Sequence, residues 1–451
     1  MTSPRGGSSE HRLAFLDQTA LELLRATGRN QLVQCVWIYE HPIDHDGLNR
    51  FHRNFCASLA GRLIERSRLP VGRPRWVQPP GLTPLQIGQT VRPRRELLNW
   101  VDELGDLPID PERGPACYVA VQAFDDGTTG VCVIASHVIG DGVGGMMAIF
   151  EAVSGMERNT GYDAPGARTP SKALIADVRQ IVRDLPLTAR TAVKAFKMVR
   201  AKRADFARAR AAQGAGSGGR LVRVPSVVVF VDTQDWDSRA ECIGGNSYSL
   251  LAGFAAKLAE RLGRRRSADG AVTLLIAINQ RESLDDDRAL AMAFANAVVD
   301  PDKVTVDLTD ARAAVRDARE KAKQETDPVM DLLPLIPWLP RGAVKGVADL
   351  MFAYSEDLPV SCSNLGDLPP EIAQADGTPA EYMFIRGLDT NVTEAELQRS
   401  HGQLVLVSGR IGGKISISIE GYQLGVENSK ERLRSLVAET LSEFGLTGVI
   451  E

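Results

Sequence analysis

Apolar residues recur along this chain at two periods, and each period marks a different kind of element. Between Leu13 and Thr27, the residues Leu16, Ala20, Leu23 and Leu24 return at helical spacing and predict an amphipathic helix. Gln31–Tyr39 reads as a strand and Leu48–Ile64 as a second amphipathic helix. Ala116–Phe124 and Thr129–Ala135 alternate or stay apolar as neighbouring strands do, and Asp125-Asp126-Gly127 between them is a hairpin signal. Gly142–Ala152 predicts a helix, although its glycines lower the propensity.

The second half repeats the mixture. Val222–Val231 and Val272–Ile278 predict strands, while Ser247–Leu262 and Ala311–Gln324 carry helical faces. Late strands are expected at Tyr382–Arg386, Gln403–Arg410 and Lys414–Tyr422, with a terminal helix at Lys430–Phe444. Strands interleaved with helices through both halves predict an α/β or α+β architecture. Between the halves, Ser171–Ala212 is largely helical and strongly basic. Its Val178, Ile181, Val182, Leu185, Ala189, Val193, Phe196 and Val199 predict buried stripes interrupted by Pro186. The same pattern suits an inter-domain brace, a mobile arm, or a face turned to a partner or to lipid. Gly214–Gly219 is a flexible connector by composition. The expected organisation is therefore an amino-terminal domain at 1–212, a linker at 213–220 and a carboxy-terminal domain at 221–451.

Composition narrows the function classes. The chain has 451 residues, long enough for two packed domains, and 44% hydrophobic content to fill their cores. A formal charge of −4 provides no basic field and excludes nucleic acid as a partner. The basic clusters at Arg92–Arg95 and Arg264–Arg266 read as solvated faces. Six scattered cysteines show neither metal-ligand spacing nor a disulfide framework, so no metal is expected and a reducing cytoplasm is the natural location. Met1–Glu10 lacks the apolar core of a signal peptide, and no apolar run approaches the roughly 20 residues of a membrane-spanning helix. Peripheral membrane contact stays open.

Candidate chemistry concentrates at Ser136-His137-Val138-Ile139-Gly140-Asp141-Gly142, which follows the apolar run Val131–Ala135. His137, one of six histidines in the chain, sits where a buried-looking strand ends. A neutral imidazole takes a proton from an attacking alcohol or amine and returns it to a departing sulfur. Such direct transfer needs neither a nucleophilic serine nor a metal, and Ser136 should face the opposite way from its neighbour on a strand. Asp141 either orients His137 or pairs with an arginine that fixes the loop, the latter favoured by the constrained turn at Gly142. A purely structural alternative makes His137 a hydrogen-bonded strand end and Asp141 the cap of the next helix. No glycine-rich dinucleotide pattern is present: Gly140-Asp141-Gly142-Val143-Gly144-Gly145 has the wrong order for one.

The same heptapeptide resembles the His-His-x-x-x-Asp-Gly motif of the wax ester synthase/diacylglycerol acyltransferase branch of the thioester-dependent acyltransferase superfamily, with Ser136 in place of the first histidine. That superfamily includes chloramphenicol acetyltransferases, plant hydroxycinnamoyl-type acyltransferases and condensation domains. Further segments are similar in the expected order: Phe15–Ala20, Gly245–Tyr248, Ile276–Arg281, Ala295-Asn296 and Ser363–Asp367. The resemblance implies an α/β fold of two related chloramphenicol-acetyltransferase-like domains with an active-site tunnel between them and His137 near its centre. It assigns the base to His137 and a mainly structural role to Asp141, with Gly142 beside it. Arg281 is the expected partner of Asp141 through two donors of its planar guanidinium. Asn364, with Ser363, is a candidate for the acyl oxyanion or for fixing a crossover loop. Asn296 suits an active-site hydrogen bond or simple core closure, and Asn246 suits a cap on Ser247–Leu262.

The reaction expected is acyl transfer from a coenzyme A or acyl-carrier-protein thioester to a hydroxyl on a small-molecule acceptor, with no tightly bound cofactor. An acyl carrier protein is a candidate partner. The alternatives are carrier-dependent condensation or N-acyl transfer, and a non-catalytic protein that binds an acyl ligand.

Overall fold

A computed structural model describes residues 11–201, 219–324, 330–340, 342–344 and 358–451. The first half runs α1 (Phe15–Thr27), β1 (Asn30–Tyr39), α2 (His45–Ala57), β2 (Leu63–Glu65), β3 (Arg75–Val77), β4 (Gln86–Ile87), α3 (Leu97–Glu103), β5 (Cys117–Ala123), β6 (Thr129–Ser136), α4 (Gly142–Ser154) and α5 (Pro170–Ala201). The second half runs β7 (Ser226–Asp232), α6 (Thr233–Cys242), α7 (Ser247–Arg261), β8 (Val272–Asn279), β9 (Met292–Val299), α8 (Thr309–Gln324), β10 (Val360–Asp367), β11 (Tyr382–Thr390), α9 (Glu394–Arg399), β12 (Gln403–Ile411), β13 (Lys414–Tyr422), α10 (Lys430–Glu443) and β14 (Val449–Ile450). The proposed linker at 213–220 and the basic segment beyond Ala201 lie almost wholly outside the described residues.

Two mixed sheets organise two α/β lobes. The first has the order β11-β1-β6-β5-β4, and the second β14-β7-β13-β12-β10-β8-β9. The hairpin expected at Asp126-Gly127 joins β5 to β6 in antiparallel register, with Gly127 at φ 88° where a side chain would be strained. In the first sheet β11 is a visitor from the far end of the sequence: it pairs antiparallel with β1 from Asn30↔Thr390 to Ile38↔Tyr382. From the same strand, the buried Arg386 donates to Gln34 on β1, to Ser226 on β7 and to Asp102. Val228 and Phe230 of β7 pack with Val36 and Phe384 in one apolar cluster shared by both sheets.

The packing explains the local departures from periodicity. α2 stops at Ala57 instead of continuing to Ile64, because Ser58 turns extended (φ −78°, ψ −169°) and caps a short 3-10 turn, Leu59–Gly61. A Cβ on Gly61 would lie 1.8 Å from the Cys56 carbonyl oxygen, so that turn requires glycine. α7 is buried along nearly its whole length, and Asn246 caps it as expected, accepting from Ser249 N at 2.9 Å. α5 runs unbroken through Pro186, and most of the apolar positions expected to be buried point outwards. Val199 belongs to that stripe, but its side chain lies outside the described residues.

Candidate active site

β6 ends at Ser136, and the chain then tightens into a 3-10 turn, His137–Ile139, before α4 begins. Ser136 is buried and its hydroxyl caps the turn, accepting from Val138 N at 3.4 Å. Arg62 holds the far end, donating from Nη2 to the Ile139 carbonyl at 2.8 Å. Its guanidinium, stacked 3.8 Å from the Trp76 ring centroid, also reaches the Tyr162 hydroxyl and the Asp287 carbonyl. The His137 side chain is half-buried, and among the described residues no protein group hydrogen-bonds its ring. The turn is clamped while its imidazole stays available.

Asp141 is the pivot of the next few residues. One carboxylate oxygen caps α4 by accepting from Gly144 N at 2.8 Å, and the other accepts from Ala291 N at 2.9 Å. Arg281 Nη1 donates to both oxygens, at 2.6 and 2.8 Å. Its Nη2 turns instead to the carbonyls of Arg288 and Ala289, at 2.8 and 3.0 Å. The partner is the one expected, but the fork is not: a single nitrogen serves the carboxylate and the other secures the backbone of the second lobe. Asp141 therefore pairs with arginine rather than with His137. Glycine is needed beside this pair, since a Cβ on Gly144 would sit 2.9 Å from Arg281 Nη2.

Asp17 grips the same backbone from the other side. Its carboxylate accepts from Leu290 N at 2.8 Å and Ala289 N at 3.4 Å, joining α1 to the segment that Arg281 holds. Burial pushes its carboxyl up to about 6, against the lowering effect of those amides and of Arg62.

Beside the turn lies a narrow cleft, partly open to solvent. Val33 and Cys35 of β1, Val133 and Ala135 of β6, Phe55 and Met146 give it an apolar wall, and Arg281, Asp286 and Arg288 close it from the second lobe. Ser136, Ile139, Gly140 and Asp141 line it directly, while His137, in the same turn, is not among the lining residues. A Cβ on Gly145, which also lines it, would meet no atom within 4 Å.

Two α/β lobes are thus joined by a crossover strand, with the histidine turn at their junction. No family model matches this chain, and no curated protein matches its sequence. Solved structures do match. The first condensation domain of the CDA synthetase superposes with a TM-score of 0.56 at 15% identity, over 98% of this chain and 100% of that one. A trichothecene 15-O-acetyltransferase from Fusarium sporotrichioides gives 0.57 at 12% identity, over 96% and 94%. A wax ester synthase/diacylglycerol acyltransferase from Marinobacter aquaeolei VT8 gives 0.55 at 14%, over 96% and 98%. The chain has the condensation-domain and acyltransferase fold. Within that fold, the Ser136–Gly142 turn occupies the seam between the two lobes.

The remaining candidates separate. Leu365 packs into the first-lobe core, and a Cβ on Gly142 would approach it to 3.0 Å, so Ser363 and Asn364 belong to a segment that comes up against the start of α4. Asn364 is half-buried, and its side-chain oxygen accepts from Gly366 N at 2.8 Å, leaving the amide NH2 as the end able to donate outwards. Asn296 is exposed in the middle of β9, the edge strand of the second sheet, opposite Leu275. Core closure does not describe it. Arg62 and Tyr162 escaped the sequence reading, although an arginine between Gly61 and the apolar pair Leu63-Ile64 is a signal for a paired buried cation. Among the described residues no group of His, Cys, Asp and Glu is arranged to hold a metal.

Proposed function

We propose that the protein transfers an acyl group from a coenzyme A or carrier-protein thioester to a hydroxyl, with His137 as general base. The observation that carries this reading is that the His137 turn is clamped at both ends and borders an apolar-walled cleft at the seam of two lobes. The acyl chain suits the wall formed by Val33, Val133 and Met146. His137 takes the proton of the acceptor hydroxyl as its oxygen bonds to the thioester carbonyl carbon. The tetrahedral oxyanion then collapses, the carbon–sulfur bond breaks, and the imidazolium returns the proton to the leaving sulfur. The Asn364 amide is the candidate donor to the oxyanion. Asp141, Arg281 and Arg62 act as positioning residues, holding the turn without touching substrate.

The test is a panel of acyl-CoAs and hydroxyl acceptors, read by free-thiol release and product mass. His137→Ala should lower turnover by about 10²–10⁴-fold while thermal melting stays unchanged. Wild-type turnover in that variant would reject the base assignment. Intact-protein mass spectrometry with a loaded carrier protein, run beside the acyl-CoA, separates the two donor classes and any amine-directed condensation.

A further inference from the structure

α5 carries its polarity the wrong way round for a surface helix of a globular protein. Its inward face is polar: Asp177, Gln180, Thr188 and Thr191 are buried. Asp177 accepts from Ser67 Oγ at 2.7 Å and Arg68 N at 2.9 Å and pairs with Arg12 at 2.8 Å. Gln180 accepts from Arg73 N at 3.0 Å, and the Arg73 guanidinium reaches Asp184 at 3.3 Å. The outward face is apolar. Ile175, Val178, Val182, Leu185, Val193 and Phe196 are between 47% and 71% exposed. With the exposed Ala189 they return every three or four residues, a continuous stripe about 32 Å long at 1.5 Å per residue.

A third sector runs along one flank. Lys172, Arg179, Arg183, Arg190 and Lys194 follow one another at intervals of seven or four residues, which keeps them on one side of the stripe, and all are exposed. Both acids of the helix, Asp177 and Asp184, lie on the inward face, so the outward surface carries only positive charge of its own. Lys194 meets Asp331 at 3.0 Å, on the 3-10 helix Met330–Trp338 that packs against α5 and leaves Trp338 42% exposed.

We propose that α5 seats the protein on an anionic lipid surface. A bilayer satisfies both outward sectors at once: the acyl boundary takes the stripe, and the anionic headgroups take the basic flank. The polar hydrogen bonds of the inward face anchor the helix to the body without using its apolar residues, leaving these free to insert. No helix among the described residues is long and apolar enough to cross a membrane, so the contact is interfacial. This inference does not rest on the acyl-transfer reading, because it concerns a separate element.

Flotation of the full chain with unilamellar vesicles tests it. The probes are pure phosphatidylcholine and an equal mixture of phosphatidylcholine and phosphatidylglycerol. The wild type should float with the mixture and remain behind with phosphatidylcholine alone. Val182→Glu with Val193→Glu should lower partitioning at least about tenfold. Arg179→Glu with Arg183→Glu and Arg190→Glu should lower it on the order of a hundredfold. These substitutions are at exposed positions, and circular dichroism and turnover of soluble substrates should match the wild type. The proposal is overturned if the wild type ignores the mixed vesicles, floats equally with neutral ones, or loses nothing in either variant. It is equally overturned if the vesicles are ignored while the same substitutions abolish self-association or capture of an acidic carrier protein.

Discussion

Asp141 and Arg281 stand 140 residues apart in the chain and 2.6 Å apart in space, with only 4% of either side chain exposed. Each is also tied to backbone, so the pair joins the start of α4 to the segment Arg288–Ala291 rather than neutralising two surface charges. Removing one member strands the other in a low-dielectric site. Asp141→Ala or Arg281→Ala should each cost about 3–5 kcal/mol in urea unfolding. Arg281→Lys keeps the charge but loses the planar reach to the carbonyls of Arg288 and Ala289, and should recover only part of that loss. Equal stability of Arg281→Lys and wild type would contradict this geometry.

Ser136 stands where the resembled motif has a histidine, and its hydroxyl is occupied in capping the turn. Ser136→Ala should cost about 1 kcal/mol of stability through the lost cap, and leave acyl transfer within severalfold of wild type. Complete loss of turnover with an intact fold would make the serine a nucleophile and the direct-transfer mechanism wrong.

The adjacent glycines should respond in opposite ways. Gly144→Ala drives a methyl group against Arg281 Nη2 and should lower the melting temperature by disturbing the ion pair. Gly145→Val projects into open space along the cavity wall, so the fold should tolerate it. Its signature should be a shift towards shorter acyl chains in a competition between donors. No change in chain preference would separate the cavity from the acyl group.

Glu420, buried on β13, has one carboxyl oxygen without a hydrogen-bond partner. Burial raises its carboxyl from 4.5 to about 8, with the nearby Asp389 adding to the rise and Arg386 opposing it. The folded state thus holds this proton more tightly than the unfolded chain does. The stabilisation is full below pH 4.5 and is lost as pH rises through 8. Glu420→Gln mimics the protonated acid and should track the wild type near pH 5. At pH 9 it should be the more stable by a few kcal/mol. Parallel melting curves from pH 5 to pH 9 for both proteins would refute the assignment.

Much of the fold was readable because its signals are local. The Asp126-Gly127 hairpin, the apolar run into Ser136 and the cap at Asn246 each need only a few consecutive residues. Arg281 was reached at long range through the resemblance of Ile276–Arg281 to a family strand that ends in an arginine, not through any local signal. The strands Met292–Val299 and Val360–Asp367 carry weaker patterns, their alternation diluted by Ala, Asn and Ser, and were not anticipated. Arg62 was hidden because its partners are backbone carbonyls and a tyrosine supplied by remote segments. α5 shows the limit most directly. Its period was correct, but period does not say which face turns inward, and here hydrogen bonds to Ser67, Arg68 and Arg73 decided the orientation.

The loan of Tyr382–Thr390 to the first sheet has a consequence for how the molecule can be divided or opened. A fragment cut at the glycine-rich run would leave Asn30–Tyr39 with one bare edge, its Arg386 ties gone and Phe384 missing from the core behind it. Neither piece should then reach its native state by itself. Breathing motions that admit a reactant must flex around this shared ribbon, because pulling the halves apart would first unzip nine residue pairs.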